Sequence, residues 1–230
     1  MKAIAVIAAA GKGLRMKQRL PKQYLLLQQE PVLRHTLKAF NACENIGQII
    51  LVVPESDMAY CREALLSGLD VDKPLQVVAG GSQRQDSVYQ GLLAVNNQES
   101  VIVIHDGVRP FVDPDLVTRC IEGSAATGAC IAALPLQDTL KSVDHHGVVT
   151  ATLDRSRLWL AQTPQAFRYE IIVNAHLAAK KEKYIGTDDA ALVERMGIKV
   201  NVIPGSRRNI KLTDPEDLEL AEAILQQSRS

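Results

Sequence analysis

Four short apolar runs set the frame of the first half of the chain. They are Ile4-Ala5-Val6-Ile7, Ile49-Ile50-Leu51-Val52-Val53 (stopped by Pro54), Gln76-Val77-Val78-Ala79, and the most apolar of them, Val101-Ile102-Val103-Ile104. The first two read as buried strands, the pattern of a parallel sheet, and the other two as further strands of that sheet. Between them apolar positions recur at helical spacing. Val32, Leu33, Leu37 and Phe40 follow Pro31, which can open a helix. Met58, Cys61, Leu65 and Leu66 predict a helix over residues 55–68, and a third helix is predicted from the Ser82-Gln83-Arg84 stretch to about Val95. Alternating strands and helices predict an α/β fold, a Rossmann-like, doubly wound, mostly parallel sheet.

The alternation breaks after Asp113-Pro114, which opens a helix to about Thr127, and a strand over residues 129–136. Two β-prone runs, residues 138–143 and 148–153, then flank Asp144-His145-His146-Gly147 and read as a hairpin. A lone two-stranded hairpin is marginal in water. Residues 137–157 are therefore expected to project as a β-arm, buried against a second copy of the chain. His145 and His146 are turn residues on this reading. The stretch from Leu158 to Phe167, with the only tryptophan, returns to the body of the fold. A helix is expected over residues 169–180. Thr187-Asp188-Asp189 starts another, with Thr187 as a plain N-cap and Ala191, Leu192 and Met196 inward. Strands are expected at residues 200–203 and 209–212, the second carrying Lys211, and Thr213-Asp214-Pro215 opens the last helix.

The loops after these strands carry the chemistry. Ala8-Ala9-Ala10-Gly11-Lys12-Gly13 follows the first strand, and Lys12, Arg15, Lys17, Arg19 and Lys22 crowd the residues beyond it. Glycines let backbone N–H groups approach an anion, and cations neutralise it, so the segment reads as a cradle for a nucleotide triphosphate. It is neither of the common motifs: Met16 replaces the third glycine of a dinucleotide fingerprint, and no Walker sequence is present. Gly80-Gly81 ends the third strand, with Ser87 in the first turns of the helix beyond, where a capped helix start is the plainer reading of Ser87. His105-Asp106-Gly107-Val108-Arg109-Pro110 ends the fourth. A carboxylate at the end of a central strand lies where open α/β sheets place their ligands. Asp106 suits Mg²⁺, a hard cation that takes oxygen ligands and phosphates, and Arg109 suits a second phosphate. His105 reads as a structural hydrogen-bonding residue.

Composition narrows the classes. The chain has 230 residues, 26 basic and 26 acidic, so bulk electrostatics do not hold it to nucleic acid. The basic character is local to the first loop, which suits a small phosphorylated ligand. This length buries roughly 70% of the unfolded surface in a single domain, residues 1–230. Cys43, Cys61, Cys120 and Cys130 form no C-x-x-C pair and lie in or beside apolar segments. Buried reduced thiols, a core strand close to the N-terminus and no bilayer-spanning run predict a cytoplasmic protein without a signal peptide or membrane partner.

Several motifs occur together and in order: Ala-Ala-Gly-x-Gly-x-Arg-Met, Pro-Lys-Gln-Tyr, Gly-Gly-x-x-Arg-x-x-Ser-Val, Val-x-Ile-His-Asp-Gly-x-Arg-Pro, Thr-Pro-Gln-x-Phe, Thr-Asp-Asp and Asn-Ile-Lys-Leu-Thr. In this order they resemble the 2-C-methyl-D-erythritol 4-phosphate cytidylyltransferases of the non-mevalonate isoprenoid pathway, over nearly the whole chain. The resemblance implies a nucleotidyltransferase-type sheet, transfer of CMP from CTP to a sugar-alcohol phosphate, Mg²⁺, and a homodimer clasped by the arms. It implies that Arg15 and Lys22 stabilise the transition state and that Arg155 and Lys211 position the sugar phosphate. Asp106 would hold Mg²⁺. Ala9, Ala10, Gly11, Gly13, Gly81 and Ser87 would contact CTP. Arg109, Thr139, Thr163 and Thr187 would contact the sugar phosphate, some across the dimer. Two positions depart from the family's habit: Ser82 stands where an acid is common, and Gly107-Val108 stands where Ala-Ala is common.

The chemistry so implied needs no general base, because the nucleophile is a phosphate oxygen already ionised near neutral pH. The barrier is electrostatic, an anion approaching a polyanion, and preorganised cations lower it. A ribitol 5-phosphate cytidylyltransferase would share the CTP site and differ in its acceptor pocket. A catalytically silent nucleotide-binding regulator would have no need of Arg15, Lys22, Arg155, Lys211 and Asp106 together.

Overall fold

The computed structural model describes residues 2–11 and 21–227. Its strands are β1 (Ala3–Ala8), β2 (Leu26–Leu27), β3 (Glu30–Pro31), β4 (Ile46–Val53), β5 (Leu75–Ala79), β6 (Val101–Asp106), β7 (Ala129–Pro135), β8 (Leu140–Val143), β9 (Val149–Leu153), β10 (Trp159–Arg168) and β11 (Asn201–Pro204). Its helices are α1 (Val32–Ala42), α2 (Met58–Tyr60), α3 (Arg84–Leu93), α4 (Pro114–Thr127), α5 (Tyr169–Glu182), α6 (Asp189–Arg195) and α7 (Pro215–Gln227). Seven strands form one sheet in the order β11-β7-β10-β6-β1-β4-β5. All neighbours are parallel except β10, which runs antiparallel to both β6 and β7. Among the described residues, no helix is long and apolar enough to cross a membrane.

The two-residue period of a strand decides which helix each side chain meets. On β1, Ala3, Ala5 and Ile7 join Leu33, Leu37 and Phe40 of α1 and Leu116, Val117 and Cys120 of α4 in one buried cluster. Ile4 and Val6 face the other way, onto Val88 and Leu92 of α3 and Ile172 and Ala175 of α5. Both faces of the sheet are therefore covered, which explains the unbroken apolar runs. Each such Leu, Ile or Phe contributes about 1.5–3 kcal/mol by leaving water. Gly91 lets α3 lie close on the sheet: a Cβ there would sit 2.5 Å from Val6 Cγ1 and 2.9 Å from Val52 Cγ2. All four cysteines are buried free thiols.

Several local expectations are corrected. Residues 55–68 are no single α-helix but a 3-10 turn (Glu55–Asp57), the short α2 and a π-helical turn (Cys61–Leu65), although Cys61 and Leu65 do point inward. Residues 209–212 form no strand; Lys211 lies in an irregular segment held by side-chain hydrogen bonds. The helix after Gly186 is capped by Asp188, not Thr187, because the Asp188 carboxylate accepts from the Ala191 N–H at 2.9 Å. Met196 lies past the end of α6 and is exposed.

Among the described residues, the hairpin of β8 and β9 pairs only with itself. Val143, Val149 and Leu153 on it, and Trp159 and Leu160 beside it, are all exposed. The Asp144 carboxylate accepts from the His146 and Val148 N–H groups, so the turn is built around an aspartate.

Candidate active site

Chain connectivity opens the site. After β1 the chain adds β4 and β5 on one side, then returns to place β6 on the other side of β1. The carboxyl ends of β1 and β6 thus form the switch point where ligands bind in open α/β sheets. Ala8 and Asp106 are register partners there, and the Gly107 N–H donates to the Ala8 carbonyl at 2.9 Å. The Ala8–Ala9–Ala10–Gly11 loop is brought beside Asp106 by backbone pairing alone.

Among the described residues, three cations surround Asp106. Its Oδ1 accepts from Arg84 Nε at 2.9 Å, and its Oδ2 lies 2.8 Å from Lys211 Nζ and 3.6 Å from Arg109 Nε. Burial alone would raise the carboxyl's pKa, but Arg84, Lys211 and Arg109 outweigh it and hold the group far below the usual carboxylate range. An ionised carboxylate with an excess of positive charge around it is a receptor for further anions. His105, fully buried, is held neutral, its pKa pushed down to about 3 by burial. Its Nε2 lies 3.2 Å from the Arg109 carbonyl, to which a neutral ring can donate, so it fixes the turn that carries Arg109.

Lys211 arrives through a lattice of buried amides. Asn209 Nδ2 donates to the Thr163 carbonyl at 2.7 Å, and Gln162 Nε2 donates to the Ser206 carbonyl at 2.9 Å. Arg109 Nη1 donates to the Asn209 carbonyl at 2.7 Å, and the Leu212 N–H to the Val108 carbonyl at 2.9 Å. Gln162 and Thr163 are available because β10 breaks register between Ala161 and Gln165, leaving 162–164 out of its ladder with β7. Pro164 in that break has no N–H to give a ladder. Irregularities of this kind re-aim side chains; here Thr163 Oγ1 accepts from the Asp106 N–H at 3.1 Å.

On the other side of Asp106, Gly80 and Gly81 are squeezed against their surroundings. A Cβ on Gly80 would lie 2.5 Å from Ala10 Cβ and 2.8 Å from Ser87 Oγ, and one on Gly81 would lie 2.3 Å from Asp86 Cβ. The pair thus draws the β5 loop onto the β1 loop. Ser87 Oγ donates to the Gln83 carbonyl at 2.8 Å and accepts from the Gly81 N–H at 3.1 Å, so it braces the loop. The helix is capped instead by a box formed between Gln83 and Asp86. Lys22 begins a 3-10 turn (Lys22–Tyr24) anchored by Tyr24, whose hydroxyl donates to Asp57 Oδ2 at 3.0 Å.

Two hollows flank Asp106. One is lined by residues 8–11, Lys22, Gln23, Ser87 and Val108, the other by Arg109, Gln162, Thr163, Gln165, Thr187 and Asp188. Arg84, Asp106 and Lys211 line both. The structure therefore gathers Ala9, Ala10, Gly11, Lys22, Ser87, Asp106, Arg109, Thr163, Thr187 and Lys211. Gly81 borders a separate cavity of about 460 Å³ and touches the site through its N–H bond to Ser87. Thr139 and Arg155 line neither hollow; both are exposed on the arm, where Arg155 donates to the Gln137 carbonyl. Gly13 and Arg15, like Lys12, Lys17 and Arg19, fall outside the described residues. Sequence reasoning missed Arg84, Gln162 and Asn209. Arg84 had a signal, a cation just after a Gly-Gly pair; the two amides had none, since buried amides that hold loops look like any other.

Among the described residues no group of three or more His, Cys, Asp or Glu side chains gathers to hold a metal. Asp106 is a single carboxylate beside hollows suited to phosphates, which fits Mg²⁺, an ion commonly held by one or two carboxylates together with substrate phosphates. Lys211 Nζ would then exchange its place on Oδ2 for a phosphate oxygen.

Comparison with known proteins agrees with this geometry. Residues 3–227 match the family profile described as IspD, 2-C-methyl-D-erythritol 4-phosphate cytidylyltransferase. The enzyme of that name from Syntrophus aciditrophicus is 50% identical over 97% of this chain and 96% of its own, and that from Geotalea uraniireducens is 46% identical over 100% and 99%. A crystal structure of 4-diphosphocytidyl-2C-methyl-D-erythritol synthase from Anaerococcus prevotii superposes with a TM-score of 0.86 at 34% identity, covering 98% of this chain and 96% of that one. The Thermus thermophilus 2-C-methyl-D-erythritol 4-phosphate cytidylyltransferase gives 0.80 at 30% identity, with 98% and 100% covered. A nucleotidyltransferase sheet, a carboxylate ringed by cations at its switch point and full-length similarity at this level lead to one conclusion: the chain belongs to the 2-C-methyl-D-erythritol 4-phosphate cytidylyltransferase family.

Proposed function

We propose that the two hollows beside Asp106 divide the family's reaction between them. The chain transfers CMP from CTP to 2-C-methyl-D-erythritol 4-phosphate, forming 4-diphosphocytidyl-2-C-methyl-D-erythritol and pyrophosphate in isoprenoid biosynthesis. On our reading CTP lies against Ala9, Ala10, Gly11, Gly13, Gly81 and Ser87. The acceptor phosphate lies against Arg109, Thr163 and Thr187. The observation that carries this reading is that Arg84, Asp106 and Lys211 border both hollows, so one set of charges faces both phosphates where they must meet.

The residues then fall into roles that the physics of the step requires. The acceptor's phosphate oxygen attacks the α-phosphorus of CTP, the bond to the bridging oxygen breaks, and pyrophosphate leaves with the electron pair. Negative charge grows on the α-phosphoryl oxygens and the leaving group, where Arg15 and Lys22 supply cations. Lys211 and Arg155 hold the acceptor phosphate in line. Asp106 would hold Mg²⁺, which when bound neutralises the triphosphate and the departing pyrophosphate.

Thr139 and Arg155 complete the site from the arm, residues 137–157, of a second copy. Their exposure outside the site of their own chain, and the exposed apolar residues around them, support a homodimer clasped by the arms. Free buried thiols support work in the reducing cytoplasm. Turnover measured by pyrophosphate release tests the assignment, with CTP against UTP and ATP, and with methylerythritol phosphate against ribitol 5-phosphate. Turnover is expected with CTP and methylerythritol phosphate, and preference for ribitol 5-phosphate would overturn it.

A further inference from the structure

We infer that Arg84, Asp189 and His176 form a positioning chain, buried at its Asp189 and His176 end, that fixes how the Asp106 carboxylate faces the reactants. His176 Nε2 on α5 lies 3.1 Å from Asp189 Oδ1 at the start of α6. Asp189 Oδ2 accepts from Arg84 Nη1 at 2.7 Å, and Arg84 Nε, on the first turn of α3, reaches Asp106 Oδ1 at 2.9 Å. Four side chains from four different elements are joined end to end, and the side chains of His176 and Asp189 are each only 1% exposed.

The placement of Arg84 is unfavourable unless it serves this chain. A cation at a helix N-terminus opposes the helix dipole, and Arg84 is the first residue of α3. Its third nitrogen, Nη2, is buried with no partner among the described residues, so the two carboxylates are its anchors there. A buried chain of charges adds little stability compared with apolar packing of the same volume. What it supplies is orientation. With Oδ1 tied to Arg84, only Oδ2 is left on the side of Lys211, where an exchangeable cation or phosphate-bound metal is to be met. Arg84, Asp189 and His176 are thus positioning residues, acting through Asp106.

The inference rests on the proposed role of Asp106, and the test separates the two. Arg84→Lys, Asp189→Asn, their double variant and Asp106→Asn are each purified, and kcat, both KM values and thermal midpoints are measured. Arg84→Lys keeps the charge but cannot span two carboxylates, so kcat is expected to fall about tenfold to a hundredfold, the scale of a small misplacement at a reacting centre. The KM for CTP should stay within about threefold, as expected when an interaction of the transition state alone is disturbed. Asp189→Asn should act in the same direction, and the double variant should be no slower than the worse single one, because linked residues are not additive. Wild-type kcat in Arg84→Lys, or losses that multiply in the double variant, would overturn the chain. So would a lowered midpoint with unchanged kcat per folded molecule. If the fully buried Asp189 does not tolerate Asn, Arg84→Lys, at a partly exposed site, decides alone through its split between kcat and KM. Full activity in Asp106→Asn would instead refute the role of Asp106.

Discussion

Lys211 Nζ stands 2.8 Å from Asp106 Oδ2, joining the last quarter of the chain to the end of a central strand. No secondary structure makes this contact. It depends on Asn209 and Gln162, which tie the irregular 206–212 segment to the break in β10.

Lys211→Ala should therefore lower kcat by about two orders of magnitude, the cost of a misplaced acceptor phosphate. Lys22→Ala and Arg15→Met should lower it by about two to three orders of magnitude, the cost of one lost donor to developing charge. Steady-state kinetics on the purified variants check this, and near wild-type turnover in any of them would remove that residue from the chemistry.

The arm offers a different test. Deleting residues 143–150 removes the hairpin turn and apolar side chains that are exposed in one chain. The product should sediment as a monomer and lose turnover, since Thr139 and Arg155 would no longer be held at a second copy's site. An intact dimer by analytical ultracentrifugation would show that the clasp lies elsewhere.

His105 gives a pH prediction whose sign can be worked out. Burial pushes its pKa down to about 3, against roughly 6.5 in an unfolded chain. Between these values the unfolded state binds the extra proton, so stability falls as pH drops below about 6.5. The slope from this group is about 1 kcal/mol per pH unit between pH 6 and 5. Carboxylates with depressed pKa values, such as Asp106, add their loss only below about pH 4. Urea unfolding at pH 5, 6 and 7.5 should show the slope in the wild type and a shallower one in His105→Asn. Equal slopes would mean that His105 is charged in the folded protein.

The elements differ in how far they could be read from the chain. β1, β4 and β6 were legible because strands buried on both faces must be apolar throughout, and β5, a half-buried edge strand, because of its Val77-Val78-Ala79 run. α4 was legible because Asp113 caps it, accepting from the Asp115 N–H at 2.9 Å, with Pro114 next to it. The π-helical turn at Cys61–Leu65 was not, because its inward residues keep nearly the spacing of an α-helix. The segment carrying Lys211 looked like a strand because Ile210 and Leu212 alternate with polar residues. Side chains of Asn209 and Gln162, and not a ladder, satisfy its surroundings.

The doubly wound sheet, the loops at its carboxyl edge and the residue types suited to anions could all be read from the chain. Local propensity and hydrophobic period carry that information, since they act over a few neighbouring residues. Packing between distant elements settled which cations share a carboxylate. It placed Arg84 between Asp106 and Asp189, and turned Ser87 into a loop brace. It also left Thr139 and Arg155 outside the site of their own chain. Those outcomes depend on contacts between residues far apart in sequence, fixed by how layers pack and where a ladder breaks, and no short stretch of chain encodes them.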